Sequence, residues 1–241
     1  MKALLISIIV WIRNFVKEKL HSQNEDLPYY ITILIALILF IAGLNVFVEL
    51  TDELAENELG PFDDSITEFV LSFRQDSLTG FFEFMTEVGD RYAYIMISVL
   101  LGAYFFIRHR SWKFIGQTVL VLMLSTLSNV VIKKFVNRAR PTLEHLVTVN
   151  TLSYPSGHSM SAMAFYGFLI YLSFQVNMPR IVRAIVVMLL IFIILCVGVS
   201  RIYLGVHFPS DVAAGFMGGL IWVTFCVIVF NVIDLLRKGK K

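Results

Sequence analysis

The feature that most limits what this chain can become is a series of apolar runs, each close to twenty residues long and almost without charge. A helix crossing a bilayer needs about 20 such residues, with a working range of roughly 17–25. Residues 29–48, 114–132, 160–176, 181–199 and 212–236 meet that length, and 92–107 is a little short but carries no charge. Backbone groups in hydrocarbon must be satisfied within their own segment, and helices do so. The expectation is therefore an all-α polytopic membrane protein, a bundle of six transmembrane helices. Composition agrees: 57% of residues are hydrophobic and 16% charged, where soluble domains carry about 25% charged residues.

Basic residues set the orientation. Residues 1–28, 107–113, 177–183 and 237–241 hold 13 of the 20 Lys and Arg. The positive-inside rule puts these pieces, and both termini, in the cytoplasm of a multi-pass cell-membrane protein. Arg74 and Arg91 fall in the first outer segment. Lys133, Lys134, Arg138, Arg140 and Arg201 stand against the rule, at the outer ends of the third and fifth spans.

Two regions lie outside the spans. Residues 1–28 form a cytoplasmic segment whose apolar stretch 3–12 is too short to cross. No small-residue cleavage site follows it, which argues against a signal peptide. Ser7, Asn14, Glu18 and His21 make a polar stripe, interrupted by Trp11, that fits an in-plane amphipathic helix. Residues 49–91 form an acidic outer loop with 12 of the 18 Asp and Glu. Within it Phe62, Ile66, Phe69, Val70 and Phe73, then Leu78, Phe81, Phe82 and Met85, fall at helical spacing. Two short amphipathic helices are expected, lying at the membrane surface or capping the bundle.

Three stretches carry chemistry. They are Lys133 to Pro141, Tyr154 to Ser159, and Ser200 to Asp211. Two spans separate the second stretch from the third, so both emerge on one face. A single loop ties the first to the second. All three therefore meet at the outer mouth of the bundle. Lys133, Arg140 and Arg201 supply cations there, and arginine can hold phosphate oxygens bidentately. Ser156 and Gly157 precede an apolar helix, whose N-terminal N–H groups favour an anion. His158 and His207 add two imidazoles. One can attack phosphorus while the other protonates the leaving oxygen. Asp211, four residues after His207, is the acid near enough in sequence to fix that ring's tautomer, by the logic of a catalytic triad. This assigns His207 as nucleophile and His158 as acid, then base.

Each residue taken singly has an ordinary explanation. The basic groups could snorkel to the interface, Ser156 or Asp211 could cap a helix, and Pro155 and Gly157 could make a turn. Those explanations do not account for three cations, two histidines and a carboxylate on one face against the charge bias. Cys196 and Cys226 sit in apolar runs and read as small buried hydrophobes.

The three stretches resemble the signature motifs of the type 2 phosphatidic acid phosphatase (lipid phosphate phosphatase) superfamily, K-x6-R-P, P-S-G-H and S-R-x5-H-x3-D. Lys133, Arg140, Pro141, Pro155, Ser156, Gly157, His158, Ser200, Arg201, His207 and Asp211 occupy every specified position. In size and layout the chain is similar to the bacterial phosphatidylglycerophosphatase B-like and undecaprenyl-diphosphate phosphatase-like members. The resemblance implies a lipid phosphatase domain over residues 29–241, with its site within 133–211. It implies hydrolysis without metal or other cofactor, through a phosphohistidine on His207. His158 would protonate the leaving group and then activate water. Lys133, Arg140, Ser156, Gly157 and Arg201 would bind the phosphoryl oxygens. The expected substrate is a lipid phosphate or diphosphate: phosphatidylglycerol phosphate, undecaprenyl diphosphate or phosphatidate.

Two other functions fit parts of the pattern. A non-catalytic phosphate-lipid binding or transport protein would need the cations but not His207. A vanadate-dependent peroxidase would use a similar anion pocket, but six spans argue against it. A net charge of +2 without a basic stripe gives no reason to expect nucleic acid. Nothing in the sequence points to a protein partner.

Overall fold

A computed structural model describes residues 25–109, 112–149 and 151–238. The N-terminal in-plane helix expected within residues 1–28 lies mostly outside them. The described residues contain eight helices: α1 (Leu27–Ala55), α2 (Gly60–Leu71), α3 (Asp76–Val88), α4 (Arg91–His109), α5 (Lys113–Val136), α6 (Gly157–Gln175), α7 (Arg180–Tyr203) and α8 (Pro209–Lys238). The fold is all-α among these residues. The six apolar runs fall in α1, α4, α5, α6, α7 and α8. Four of these, α1, α5, α7 and α8, are long and apolar enough to cross a membrane. A fifth is added if α3 and residues 91–107 of α4, bent by 58°, count as one broken span. The chain is a multi-pass membrane protein.

Among the described residues, those within 41–223 form one compact unit, and residues 25–40 with 224–238 form another. In the second, Phe40 and Phe225 stack with ring centroids 6.5 Å apart. Lys238 pairs there with Glu25 and Asp26.

The larger unit contains every candidate site residue. Its centre is α6. Ser159, Ala162, Ala164, Phe165 and Phe168 are all buried, so this helix meets protein on every side. Its small and polar residues allow close helix packing. Gly215 and Gly219 on α8 show how close. A Cβ at Gly215 would lie 2.7 Å from the Ser156 carbonyl, and one at Gly219 would lie 2.5 Å from the Met160 carbonyl. Tyr94, Phe165, Tyr166, Ile194 and Val197 form the main aromatic and aliphatic cluster beside α6.

The two amphipathic patterns of the outer segment correspond to α2 and α3. Both pack on α7. Tyr203, Leu204 and Val206 form a second cluster with Val70, Leu78, Phe82 and Leu146. Arg74 donates to the carbonyls of Tyr203 and Glu144, tying the outer helices to the end of α7. The helix α1 runs on to Ala55, past the last apolar residue of its run. Hydropathy ends at Glu49, but helical hydrogen bonding does not.

Candidate active site

The ends of four helices meet around the loop 137–156. Asn137, in left-handed conformation at φ 52°, ends α5 and bonds to the Lys133 carbonyl. The loop then returns. Ser153 N–H donates to the Arg138 carbonyl, Leu146 N–H to the Leu204 carbonyl, and Ser156 N–H to the Asp211 carbonyl at 2.9 Å. The starts of α6 and α8 are thus hydrogen-bonded to each other, and the motif loops sit between them. Gly205, at φ +75°, turns the chain after α7. A side chain there would meet the Glu144 carbonyl at 2.6 Å.

His207 is buried in the turn before α8. Its Nδ1 lies 3.3 Å from Asp211 Oδ2 and 3.4 Å from Ser153 Oγ. Its Nε2 lies 3.2 Å from an Arg140 guanidinium nitrogen. A guanidinium only donates, so Nε2 must be the acceptor and Nδ1 carries the proton, donated to Asp211. This tautomer leaves the Nε2 lone pair facing the cations. Burial is the largest influence on the imidazole and pushes its pKa down to about 3; Asp211 opposes this, while Arg140 and Arg201 add to it. His207 is therefore neutral near pH 7.

Asp211 is fully buried and heavily engaged. Besides His207, Oδ2 accepts from Phe208 N–H at 3.0 Å and from Ser153 Oγ. The bond to Phe208 is the carboxylate half of a capping box at the start of α8. Asp211 thus bonds the His207 imidazole and closes the start of α8 at once.

The candidate cations converge. Arg140 donates to the carbonyls of Thr151 and Val206 at 2.6 Å each, as well as facing His207. Burial lowers its pKa from the ordinary arginine value. Lys133 Nζ holds the carbonyls of Leu152 and Ser153. Arg201, 2% exposed, donates to Thr86 Oγ1, while its Nε is buried without a partner. His158 stands within electrostatic reach of His207, Arg201, Arg140 and Lys133.

Ser156 caps α6, its hydroxyl accepting from Ser159 N–H. Its own N–H is spent on Asp211, so the first-turn N–H groups of Gly157 and His158 are the ones with no intrahelical partner. Asn129 stands against Gly157, where a Cβ would be 3.1 Å from its amide oxygen. Its amide nitrogen donates to the Pro155 carbonyl. His145 bonds to the Pro141 carbonyl and closes a turn of its own loop.

A cavity of about 1010 Å³ opens beside His158 and Gly157 and runs between α4 and α5 past Val99 and Met123 toward Gly102. Its walls are mostly apolar. Among the described residues, no group of three or more His, Cys, Asp or Glu is placed to hold a metal ion.

The sequence model of the PAP2 superfamily matches residues 114–233, which include this constellation. Phosphatidylglycerophosphatase B of Bacillus subtilis (strain 168) is 31% identical over 183 residues, covering 73% of this chain and 86% of the relative. The chain belongs to the PAP2 superfamily. A second relative, the undecaprenyl-diphosphatase of Sulfolobus acidocaldarius, is 27% identical over 212 residues, 87% of this chain and 95% of that protein. Among solved structures, the transmembrane PAP2-type phosphatidylglycerolphosphate phosphatase from Bacillus subtilis superposes with a TM-score of 0.73 at 29% identity, covering 80% of this chain and 96% of that one. Aquifex aeolicus LpxE shares the fold, with a TM-score of 0.55 at 24% identity over 67% of this chain and 92% of its own. As a PAP2 protein with phosphatase relatives, this chain is a phosphoric ester hydrolase of the membrane.

Several residues around the PAP2 motifs were given no role from sequence. Arg138 lies inside the first motif but at an unspecified position. Asp63 sits in the acidic outer segment, where a carboxylate reads as solvated. Ser153, Asn129 and Thr86 carry no charge pattern to betray them. One signal was available for Arg138: it is a fifth basic residue against the topology rule.

Proposed function

We propose that this chain hydrolyses the phosphate or diphosphate of a membrane lipid at the outer face of the cell membrane, through a phosphohistidine on His207. The observation that carries the reading is the tautomer of His207: Nδ1 is held by Asp211 at 3.3 Å, and the Nε2 lone pair is turned toward Arg140. Nε2 attacks phosphorus and the bond from phosphorus to the lipid-side oxygen breaks. His158 gives that oxygen its proton. His158 then takes a proton from water, which attacks phosphorus, cleaves the P–N bond and releases phosphate. Arg140, Arg201 and Lys133, with the first-turn N–H groups at Gly157, surround the phosphoryl oxygens as charge builds on them. The orphaned Nε of Arg201 fits this role, because a buried donor without an acceptor costs stability that a bound anion restores.

The cavity between α4 and α5 supports a lipid substrate. It reaches the vicinity of His158 and offers apolar walls to a hydrocarbon tail. The names of the two relatives point to phosphatidylglycerol phosphate and undecaprenyl diphosphate as substrates to test first. With the basic loops and both termini read as cytoplasmic by the positive-inside rule, the motif loops face outside. The test is phosphate release by the purified protein in EDTA from those two lipids and phosphatidate. Release from at least one without added metal is expected. No release from any, or release only with metal restored, would overturn the proposal.

A further inference from the structure

We propose that Asp63 and Arg138 are positioning residues of the hydrolytic centre, setting through Asp211 how strongly His207 Nε2 acts on phosphorus. The inference rests on His207 being the nucleophile.

Asp63 lies in the first turn of α2 and is 2% exposed. Its Oδ1 accepts from Ser210 N–H at 2.8 Å, and its Oδ2 from Ser210 Oγ at 2.8 Å and from Arg138 at 2.6 Å. The other terminal nitrogen of Arg138 donates to Asp211 Oδ1 at 2.7 Å and to Ser210 Oγ at 2.8 Å. Its guanidinium carbon stands 4.1 Å from the centre of the Phe208 ring, which fixes the plane of the fork. One guanidinium therefore bridges two buried carboxylates, a geometry that lysine could not reproduce.

The division of Asp211 matters. Oδ1 faces Arg138, and Oδ2 faces His207, Ser153 and Phe208 N–H. Arg138 thus addresses the orienting carboxylate from the side away from the imidazole, whereas Arg140 faces the imidazole itself. The basicity of Nε2 follows the strength of the acceptor on Nδ1–H. Arg138 weakens that acceptor, and Asp63, by sharing Arg138, limits the weakening. The relay runs Asp63, Arg138, Asp211, His207, and it makes the outer helix α2 part of the chemistry.

A purely structural ion pair predicts no directed effect on the nucleophile, and buried pairs are often replaceable at little cost. The relay predicts opposite effects from its two ends. The charged and titratable groups facing His207 are Asp211, Arg140, Arg201 and His158, and all stay in place in the variants. Asp63→Asn leaves Arg138 wholly on Asp211, so the acid limb of the rate profile moves to lower pH. Arg138→Gln frees Asp211, so the limb moves to higher pH.

The experiment measures kcat, KM and their pH dependence with short-chain phosphatidate in detergent. Each single variant is expected to lower kcat roughly tenfold or more, as for a misplaced reacting group, with KM unchanged and the limbs displaced in opposite directions. The double variant returns the limb toward its native position with kcat still reduced. Asp64→Asn, which removes an exposed charge next door, behaves as native. Native kcat in either single variant, or limbs displaced the same way, overturns the proposal. Should a single variant fail to accumulate, the double variant decides: native kcat there overturns the relay, and reduced kcat with a native limb supports it. His207→Ala separates the two levels. Turnover surviving in that variant sinks the nucleophile reading, whereas a dead His207→Ala beside a native Asp63→Asn sinks only the relay.

Discussion

Helices α6 and α7 form one hairpin yet answer to different surroundings. In α6, Ser159, Ala162, Phe165 and Phe168 are shut in on all sides. In α7, Ile181, Ile185, Met188, Leu189 and Phe192 stand uncovered by the protein, until the last turns bury Ser200, Arg201 and Tyr203. The apolar helix meets lipid and is held by it. The more polar helix meets protein and carries the capped end beside His158. The candidate site thus adjoins the helix that looks least like a membrane span, where small residues let backbones and polar groups approach closely.

The sharpest way to break this contrast is at the reacting end. His207→Ala should abolish lipid phosphate turnover. His158→Ala should lower it roughly 10²–10⁴-fold, the usual worth of a general acid–base group, while a substrate with a good leaving group still phosphorylates the protein. Steady-state and burst assays read both, and equal losses with every leaving group would contradict the division of roles.

On the lipid side, Leu189→Asp should cost about 2.5–3.5 kcal/mol of insertion or folding free energy if that face meets hydrocarbon. A harmless Leu189→Asp in a thermal stability assay would show that water reaches it. On the protein side, Gly215→Ala should destabilise by about 1–3 kcal/mol, the usual cost of overpacking, because its Cβ meets the Ser156 carbonyl. Gly116→Ala on α5 has open space around it and should stabilise by up to about 1 kcal/mol. Matching effects at the two glycines would erase the distinction.

A further effect is on pH. His207 has its pKa pushed down to about 3 in the folded protein, against about 6.5 in an unfolded chain. As pH falls, the unfolded chain takes up this proton first. The contribution is complete above pH about 6.5 and is lost progressively toward pH 3. The apparent Tm should fall through that window, and less steeply in His207→Gln. Parallel curves would count against a buried neutral His207.

Much of this was legible in the sequence, for definite reasons. The three motif stretches could be brought together because two consecutive helices between Gly157 and Tyr203 return the chain to one end. The spacing of Phe62 to Phe69 and Leu78 to Met85 is that of α2 and α3. Boundaries were less legible. Hydropathy stops α1 near Val48 although the helix continues to Ala55, and it starts α6 at Met160 although Ser156 caps it earlier. The long-range partners were not legible at all. Asp63 reaches Ser210 across 147 residues, and no periodicity marks one acid among many as buried. Ser156 was read as an anion ligand, but its N–H is taken by Asp211, a contact set by how α6 meets α8.

The central claim is that His207 Nε2 becomes covalently bonded to phosphorus. The direct measurement is a rapid quench with a phosphate-labelled substrate that has a good leaving group, using the His158→Ala protein to slow hydrolysis, followed by mapping of the labelled peptide. The account predicts an acid-labile phosphohistidine at His207. Label on any other residue, or full turnover without a labelled protein, would contradict it.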